Sequence, residues 1–176
     1  MKIQKYRTQL FIKLATVACF FLLMSSGAFA REYNIDPTHS RIGFVVRHLV
    51  SKVPGNFNEF EGSFNFDPKN PEKSKVRALV KSASVNTENK KRDDHLRSDD
   101  FFASEKHPTL TFESVKVSSG KKGHYNMDGN LTLLGVTKPV RFDVEFLGEA
   151  KDPFGAGQRA GFVAIGKINR QEFGMK

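Results

Sequence analysis

Alternation of large apolar and polar residues is the clearest pattern in this chain. Between Phe60 and Phe66 the three phenylalanines share one parity and polar residues take the other, and Val140–Phe146 repeats the arrangement. Because successive side chains of a β-strand point to opposite faces, each such stretch has one apolar and one polar face. Seven stretches are predicted as strands: Ser40–His48, Asn58–Asp67, Lys75–Ala83, Thr109–Val117, Tyr125–Leu134, Lys138–Leu147 and Arg159–Ile168.

The loops between these stretches are mostly short and carry turn signals, which favours antiparallel neighbours joined by hairpins. Seven or eight strands with one apolar face each form either a sandwich or a barrel. A barrel of about eight strands has an interior that holds packed side chains or one small ligand. Small residues at inward positions either leave a channel lined by phenylalanine rings or permit tight packing: Gly62, Ala78, Ser82, Gly129, Ala160, Ala164 and Gly166.

The alternation stops between Val85 and His107. Residues 87–96 are predicted to be helical with Asn86 or Thr87 as the N-cap. Ser98–Phe102 is predicted to form a second short helical turn with its phenylalanines facing inward. A helical insertion at about 87–103 in a strand-rich chain is typical of a lid or a pocket rim.

The first thirty residues have the order of a secretory signal peptide. A basic start precedes the apolar run Leu10–Met24, and Ala28–Ala30 is a small-x-small cleavage site. The apolar run is short for a membrane anchor, and Lys13 interrupts it. We therefore predict a signal peptide at 1–30, one domain at 31–176 and a periplasmic or secreted protein. The only cysteine, Cys19, would be removed with the leader, which excludes disulfides from the fold.

Removing the four basic residues of the leader lowers the formal net charge from +9 to +5. A mild positive charge suits transient contact with an anionic membrane surface. Outside Lys90–Arg92 the basic residues are interspersed with acids, and no RNA-binding signature is present. The charge pattern therefore argues against a nucleic-acid partner.

Histidines and the polar run Arg92–Asp100 are the candidates for chemistry. No tight His or Cys cluster supplies a set of metal ligands. The run is typical of a capped, solvated helix with local ion pairs, although Arg92, His95 and Arg97 also offer hydrogen bonds to a polar headgroup. Motifs of a nucleophilic serine, a zinc-protease helix and a phosphate-binding loop are absent. We predict a protein that is not an enzyme.

Segments along most of the chain resemble the YceI-like family, also called polyisoprenoid-binding or lipocalin-like proteins. Arg92–Phe102 followed by His107–Phe112 is the most distinctive match. The others are Tyr33–Ser40, Gly43–Leu49, Gly55–Phe57, Phe60–Gly62, Gly129–Val140, Arg159–Phe162 and Ile168–Arg170. The resemblance implies an all-β, extended eight-stranded antiparallel barrel of lipocalin-like build. Because family members continue past the equivalent of Phe173–Gly174, the final strand is expected to be missing here.

The resemblance further implies an exported protein that binds, carries or stores a long isoprenoid lipid or an isoprenoid quinone, in quinone metabolism or stress response. Each buried methylene of such a tail gains ~0.8 kcal/mol, which suits an apolar interior. By parity and position the predicted lining is Phe44, Val46, Phe64, Phe66, Phe112, Leu131, Leu133, Phe142, Val144, Phe146, Phe162 and Ala164, with Phe101 and Phe102 as a lid. The predicted headgroup contacts are His48, Arg92, His95 and Arg97.

No cofactor is predicted apart from the bound lipid, and a homodimer is left open. Two alternatives to a lipid carrier remain at this point. One is a secreted enzyme acting on an apolar substrate, with His48, His95 and a nearby carboxylate as acid and base. The other is a structural barrel whose own rings fill its interior.

Overall fold

The computed structural model describes residues 31–67, 69–155 and 157–176. The predicted leader, residues 1–30, lies outside the described residues. Ten strands and one α-helix make up the described chain, together with 3₁₀ turns at Pro71–Lys73, Ser82–Ser84 and Arg170–Phe173. The strands are β1 (Arg31–Asn34), β2 (Ile42–His48), β3 (Ser51–Phe57), β4 (Phe60–Phe66), β5 (Lys75–Lys81), β6 (Val85–Asn86), β7 (Thr109–Ser119), β8 (His124–Leu133), β9 (Val136–Lys151) and β10 (Gln158–Gly166), and the helix is α1 (Lys90–Arg97).

Two antiparallel sheets build the molecule. The larger has seven strands in the order β1-β4-β5-β7-β8-β9-β10, and the smaller has three in the order β2-β3-β6. The strands wrap into a nearly closed barrel that turns through 260° and leaves one seam open. The predicted all-β antiparallel barrel with a short helical insertion is confirmed.

Apolar side chains from strands that are not neighbours meet inside the barrel. The ring of Phe162 on β10 lies 5.2 Å from that of Phe64 and 4.9 Å from that of Phe66, both on β4. Four strands separate β4 from β10 in the sheet order. The sheet therefore curls far enough for its two ends to pack face to face.

Polar contacts link the same two ends of the sheet. The hydroxyl of Tyr33 on β1 donates to Glu149 on β9 at 2.5 Å. Just beyond β1, Asp36 pairs with Arg159 of β10 at 3.0 Å. The edges thus approach each other through side chains, although β1 and β10 share no backbone ladder among the described residues.

The hairpin between β8 and β9 shows how local sequence sets a turn. Leu133 pairs with Val136, which leaves a two-residue turn of Leu134 and Gly135. Both turn residues have positive φ, 54° and 74°. Tight hairpin turns favour this left-handed geometry, and glycine adopts it without a steric cost. Leu134 tolerates it because its side chain packs against the main core cluster.

The sequence did not predict three of the strands, β1, β3 and β6. The first and last have only four and two residues, too few to show alternation. The strand β3 contains Pro54 and Gly55, which ordinarily mark the end of a strand. Pro54 is tolerated because it faces only Val45 of β2, while β6 pairs with β3 at Asn56 and Phe57 alone.

The helical insertion is shorter than predicted. Helix α1 begins at Lys90, and its N-cap is Asn89, whose side chain accepts from the backbone N–H of Arg92 at 3.0 Å. The expectation of Asn86 or Thr87 as the cap was wrong, because the side chain of Thr87 is held by Asp93. Ser98 ends α1, and the segment after it forms turns instead of a second helix.

Candidate functional site

A cavity of about 2180 Å³ occupies the interior of the barrel. Inner faces of β4, β5 and β7–β10 form much of its wall. The β2–β3 ribbon, the helical insertion, β1 with the segment after it, and the C-terminal segment contribute further lining. Ligand pockets for drug-sized molecules are about 300–1,000 Å³. The cavity is therefore large enough for a long-chain molecule, and it is partly open to solvent.

Of the predicted apolar lining residues, the structure places all but Phe146 at this cavity. The ring of Phe146 packs instead against Phe66 and Phe162, with centroids 5.0 and 5.1 Å away. Phe146 therefore shares the face of β9 that parity selected and contacts two lining rings without bordering the cavity itself.

Three phenylalanine rings of the lining lie over glycines of the adjacent strand. Phe44 covers Gly55, and an added Cβ on that glycine would meet Cε2 of the ring at 2.7 Å. The pairs Phe112 with Gly129 and Phe142 with Gly166 repeat the arrangement. The glycines therefore seat the rings against the wall of the barrel, and the lumen stays open. Tight packing and an open channel, which the sequence presented as alternatives, occur together.

Phe102, from the segment after α1, lies on one side of this cavity. Its ring contacts those of Phe44 and Phe57 at 6.4 and 5.4 Å, and all three line the cavity. Phe57 was not predicted because its strand carries Pro54 and Gly55. The predicted lid residue Phe102 is thus a buried wall residue in this structure.

A buried polar network anchors the start of the insertion. The carboxylate of Asp93 accepts the backbone N–H of Thr87 at 2.9 Å and its hydroxyl at 2.6 Å. Arg92 donates to Thr87 twice, from Nε to the hydroxyl oxygen and from Nη2 to the carbonyl oxygen, both at 2.7 Å. Arg92 lines the cavity, and its Nη1 group has no hydrogen-bond partner among the described residues. That group remains available to a polar ligand atom.

His95 and Phe101 form a second pair at this side of the cavity. The His95 ring packs edge-on to Phe101 at 5.0 Å, and its Nε2 lies 3.0 Å from Asp100. The guanidinium of Arg170 lies 5.6 Å from the centre of the Phe101 ring. Arg92, His95 and Arg170 all line the cavity. This face can therefore offer several donors to an anionic or carbonyl-bearing headgroup.

The other two predicted headgroup residues lie elsewhere. Arg97 does not line the cavity, because its Nε donates to the carbonyl of Ala83 at 2.9 Å and its Nη1 to Asp94 at 3.0 Å. One turn of helix brings Asp94 within its reach, and the headgroup role of Arg97 stays a prediction. His48 lies at the outer end of β2 and lines the mouth of the cavity. No contact joins His48 to His95 in the described structure.

A polar cluster that sequence reasoning missed lies at the rim near the ends of β1 and β10. Asp36 pairs with His39 at 2.7 Å and with Arg159 at 3.0 Å, and Arg159 also pairs with Asp152. Hydrogen bonds from Thr38 and His39 hold the pKa of Asp36 far below its usual range. Asp36, Thr38 and His39 fall in one recognised segment and Arg159 in another, and nothing local shows that the two segments meet.

Among the described residues, no group of three or more His, Cys, Asp or Glu side chains is placed to hold a metal ion. Nor does any helix of the described ranges have the length and apolar content to span a bilayer.

Residues 33–176 match the model of the YceI-like domain. A UPF0312 protein of Photorhabdus laumondii is 47% identical over 167 residues, which cover 93% of this chain and 85% of that protein. A UPF0312 protein of Azotobacter vinelandii is 44% identical over 167 residues, covering 93% of this chain and 86% of its own. The names of these relatives state no enzymatic activity.

Solved structures of similar fold include the YceI protein of Campylobacter jejuni and BcnA of Burkholderia cenocepacia. The first is 40% identical with a TM-score of 0.66, covering 82% of this chain and 85% of that one. The second is 25% identical with a TM-score of 0.71, covering 80% of this chain and 84% of that one. By the family model and by these relatives, the chain belongs to the YceI-like domain family.

Proposed function

We propose that this protein binds a long-chain isoprenoid lipid or isoprenoid quinone in its barrel and carries or stores it outside the cytoplasm, without chemistry of its own. The observation that supports this most is the phenylalanine-lined cavity of about 2180 Å³. A prenyl tail is an extended chain of apolar groups, and each methylene moved from water into such a lining gains ~0.8 kcal/mol. Ordering of the tail and its competing solubility in a membrane reduce that gain.

The polar groups at the helical insertion support a ligand with a polar end. Arg92 and Arg170 belong to the cavity lining, and their guanidinium groups carry donors for a quinone carbonyl or a phosphate. Phe101, which both His95 and Arg170 contact, adds an apolar surface beside them. In this arrangement the headgroup lies at the insertion and the tail extends along the seated rings.

The two alternatives fit the geometry less well. A barrel filled by its own rings would have no continuous interior space, whereas the rings here lie on glycines of the wall. An enzyme would need His48, His95 and a carboxylate to converge, but His95 pairs with Asp100 where both side chains are about three-fifths exposed. Such a solvated pair lacks the water-excluded setting that acid–base catalysis favours.

Native mass spectrometry of the full-length chain, expressed with its leader and purified from the exported fraction, tests the proposal directly. We expect a retained mass in the range of long-chain prenyl lipids, on a protein from which residues 1–30 have been removed. An empty protein that also fails to bind added prenyl quinone would overturn the proposal.

The chain contains no tryptophan, which allows a second, position-specific test. Val144→Trp places a single fluorophore in the cavity lining, and Phe154→Trp places one in the exposed β9–β10 loop. A prenyl quinone is expected to quench the first saturably and the second only weakly, because quenching requires close approach. Equal quenching at both positions would indicate surface adsorption instead of binding in the barrel.

A further inference from the structure

The tip of the β2–β3 hairpin exposes apolar side chains that pack against nothing in the protein. Leu49 is 80% exposed and Val50 is 97% exposed, and Val45 on β2 is a further exposed apolar residue of the hairpin. Single exposed apolar residues are common on soluble proteins. A run of this kind at the tip of a hairpin marks a contact with something apolar outside the fold.

The backbone of this turn is unfavourable for the residues that occupy it. His48 pairs with Ser51, so Leu49 and Val50 form a two-residue turn, and Leu49 has φ 52°. Such turns favour Asn-Gly or similar pairs, since larger residues are strained in the left-handed region. In the β8–β9 hairpin, the leucine at positive φ packs on the core, and a glycine follows it. Leu49 has no core contact of this kind, and no glycine follows it. The stability of the turn therefore does not explain why Leu49 and Val50 occupy it.

The hairpin also projects from the fold. The strand β2 pairs only with β3, and β3 meets β6 only at Asn56 and Phe57 among the described residues. From Phe44 to Gly55 the ribbon therefore has no further strand partner. Its inner side lines the cavity through Phe44, Val46 and His48. Whatever contacts the tip lies directly beside the mouth of the cavity.

The charge of this hairpin indicates which kind of apolar partner its tip contacts. Between Ser40 and Asn58 the chain has no Asp or Glu, whereas Arg41, Arg47 and Lys52 are all basic and exposed. The guanidinium of Arg47 donates to the carbonyl of Leu49 at 3.1 Å, which holds a positive charge next to the tip. An apolar tip surrounded by cations complements an anionic lipid bilayer, whose interior takes the apolar groups and whose headgroups take the charges.

We propose that the β2–β3 hairpin tip docks the protein on anionic lipid bilayers, with Leu49 and Val50 inserted at the level of the headgroups and Arg47 and Lys52, which pair beside the turn, on the phosphates. The inference rests on the proposed function, because docking there brings the cavity mouth to the membrane from which a lipid would be taken. It specifies the surface through which loading occurs. The inserted residues do not line the cavity, so docking and lipid affinity can be measured separately.

Flotation with vesicles tests the docking. The full-length protein, wild type and variants, is mixed with vesicles of equimolar phosphatidylglycerol and phosphatidylcholine or of phosphatidylcholine alone. The variant with Leu49→Asn and Val50→Gly is expected to lose roughly tenfold or more in partitioning. Asn-Gly suits the turn, so its resistance to urea should not fall. Val115→Ser, at an exposed position of β7, is the matched control and should float like wild type.

The electrostatic part has its own variant. Arg47→Gln with Lys52→Gln is expected to lower partitioning to phosphatidylglycerol vesicles by roughly fivefold per charge. It should leave the weak binding to pure phosphatidylcholine unchanged. Lys121→Gln with Lys122→Gln removes two exposed charges from the β7–β8 turn and is the control. Equal losses in both double variants would mean that net charge, not the hairpin, sets the binding.

Several outcomes overturn the docking proposal. One is undiminished flotation of the Asn-Gly variant, and another is no flotation of the wild type. A third is a wild-type dimer in sedimentation that the Asn-Gly variant abolishes, without vesicle binding, because the tip would then join two copies of the chain. Prenyl quinone offered in detergent should load the Asn-Gly variant as well as wild type. A protein that floats by its hairpin but takes up no prenyl lipid leaves the docking surface standing and refutes the proposed function.

Discussion

The close contact between the Phe44 ring and Gly55 predicts how a substitution at Gly55 changes the stability of the protein. Where there is space, Gly→Ala in a strand stabilises by about 0.4–1 kcal/mol through the unfolded state. At Gly55, however, the new Cβ would lie 2.7 Å from Cε2 of Phe44 and 2.9 Å from Cγ2 of Thr87. Ordinary contact begins at 3.4 Å and Cζ of Phe44 is closer still than Cε2, so the ring must move by more than about 0.7 Å. We expect Gly55→Ala to lower the free energy of unfolding by about 1–3 kcal/mol, as overpacking does.

A double-mutant cycle with Phe44→Leu measures this contact by urea unfolding, followed by circular dichroism. Leucine lacks the ring atoms that meet the added Cβ, so Gly55→Ala should cost about 1 kcal/mol less in the Phe44→Leu background. Gly157→Ala is the control, because no atom lies within 4 Å of the position of its added Cβ. If Gly55→Ala costs the same in both backgrounds, the ring is not seated on this glycine and the account of the open lumen fails.

Two further predictions concern the insertion and the rim. Asp93→Ala removes the buried acceptor of the Thr87 N–H and hydroxyl, and it should lower the free energy of unfolding by about 1–3 kcal/mol. Asp94→Ala, on the exposed side of α1, should cost clearly less, because solvent-exposed ion pairs contribute little. Similar costs in urea unfolding would contradict the anchoring role of Asp93. Asp36→Asn should flatten the acid limb of stability against pH. The pKa of Asp36 is lowered, first by the Thr38 hydroxyl, so its contribution is complete above the ordinary carboxyl pKa of about 3.9 and is lost as the pH falls below it. An acid limb unchanged by Asp36→Asn in urea titrations across pH would contradict this.

Seven of the strands could be predicted because their evidence is local. Side chains alternate with a period of two, and one face must leave water, so the parity of Phe64 and Phe66 or of Phe142 and Val144 already selects the inward face. The same parity placed Phe146 with them, although it contacts Phe66 and Phe162 without bordering the cavity. Parity specifies a face, but which residues of that face border the cavity depends on the rings that distant strands bring to it.

The headgroup side shows the same limit. The three basic residues of one short helix are Arg92, His95 and Arg97. The sequence alone could not tell which of them borders the cavity. The structure directs Arg92 to Thr87 and the cavity, and Arg97 to Ala83 and Asp94. Their spacing on α1 decides which of them borders the cavity, because residues at different positions of a helix point in different directions.

By itself, the sequence determined that this chain forms antiparallel strands with one phenylalanine-rich face each, interrupted by a single helical insertion. Only the tertiary structure decided that Phe162 meets β4, that glycines seat the rings so the lumen stays open, and that the β2–β3 tip projects apolar residues into solvent. The physical reason is that alternation is imposed residue by residue along one strand. The curvature of the sheet, the packing of the rings on the glycines and the projection of the hairpin depend on contacts between residues far apart in the chain. No local pattern records those contacts.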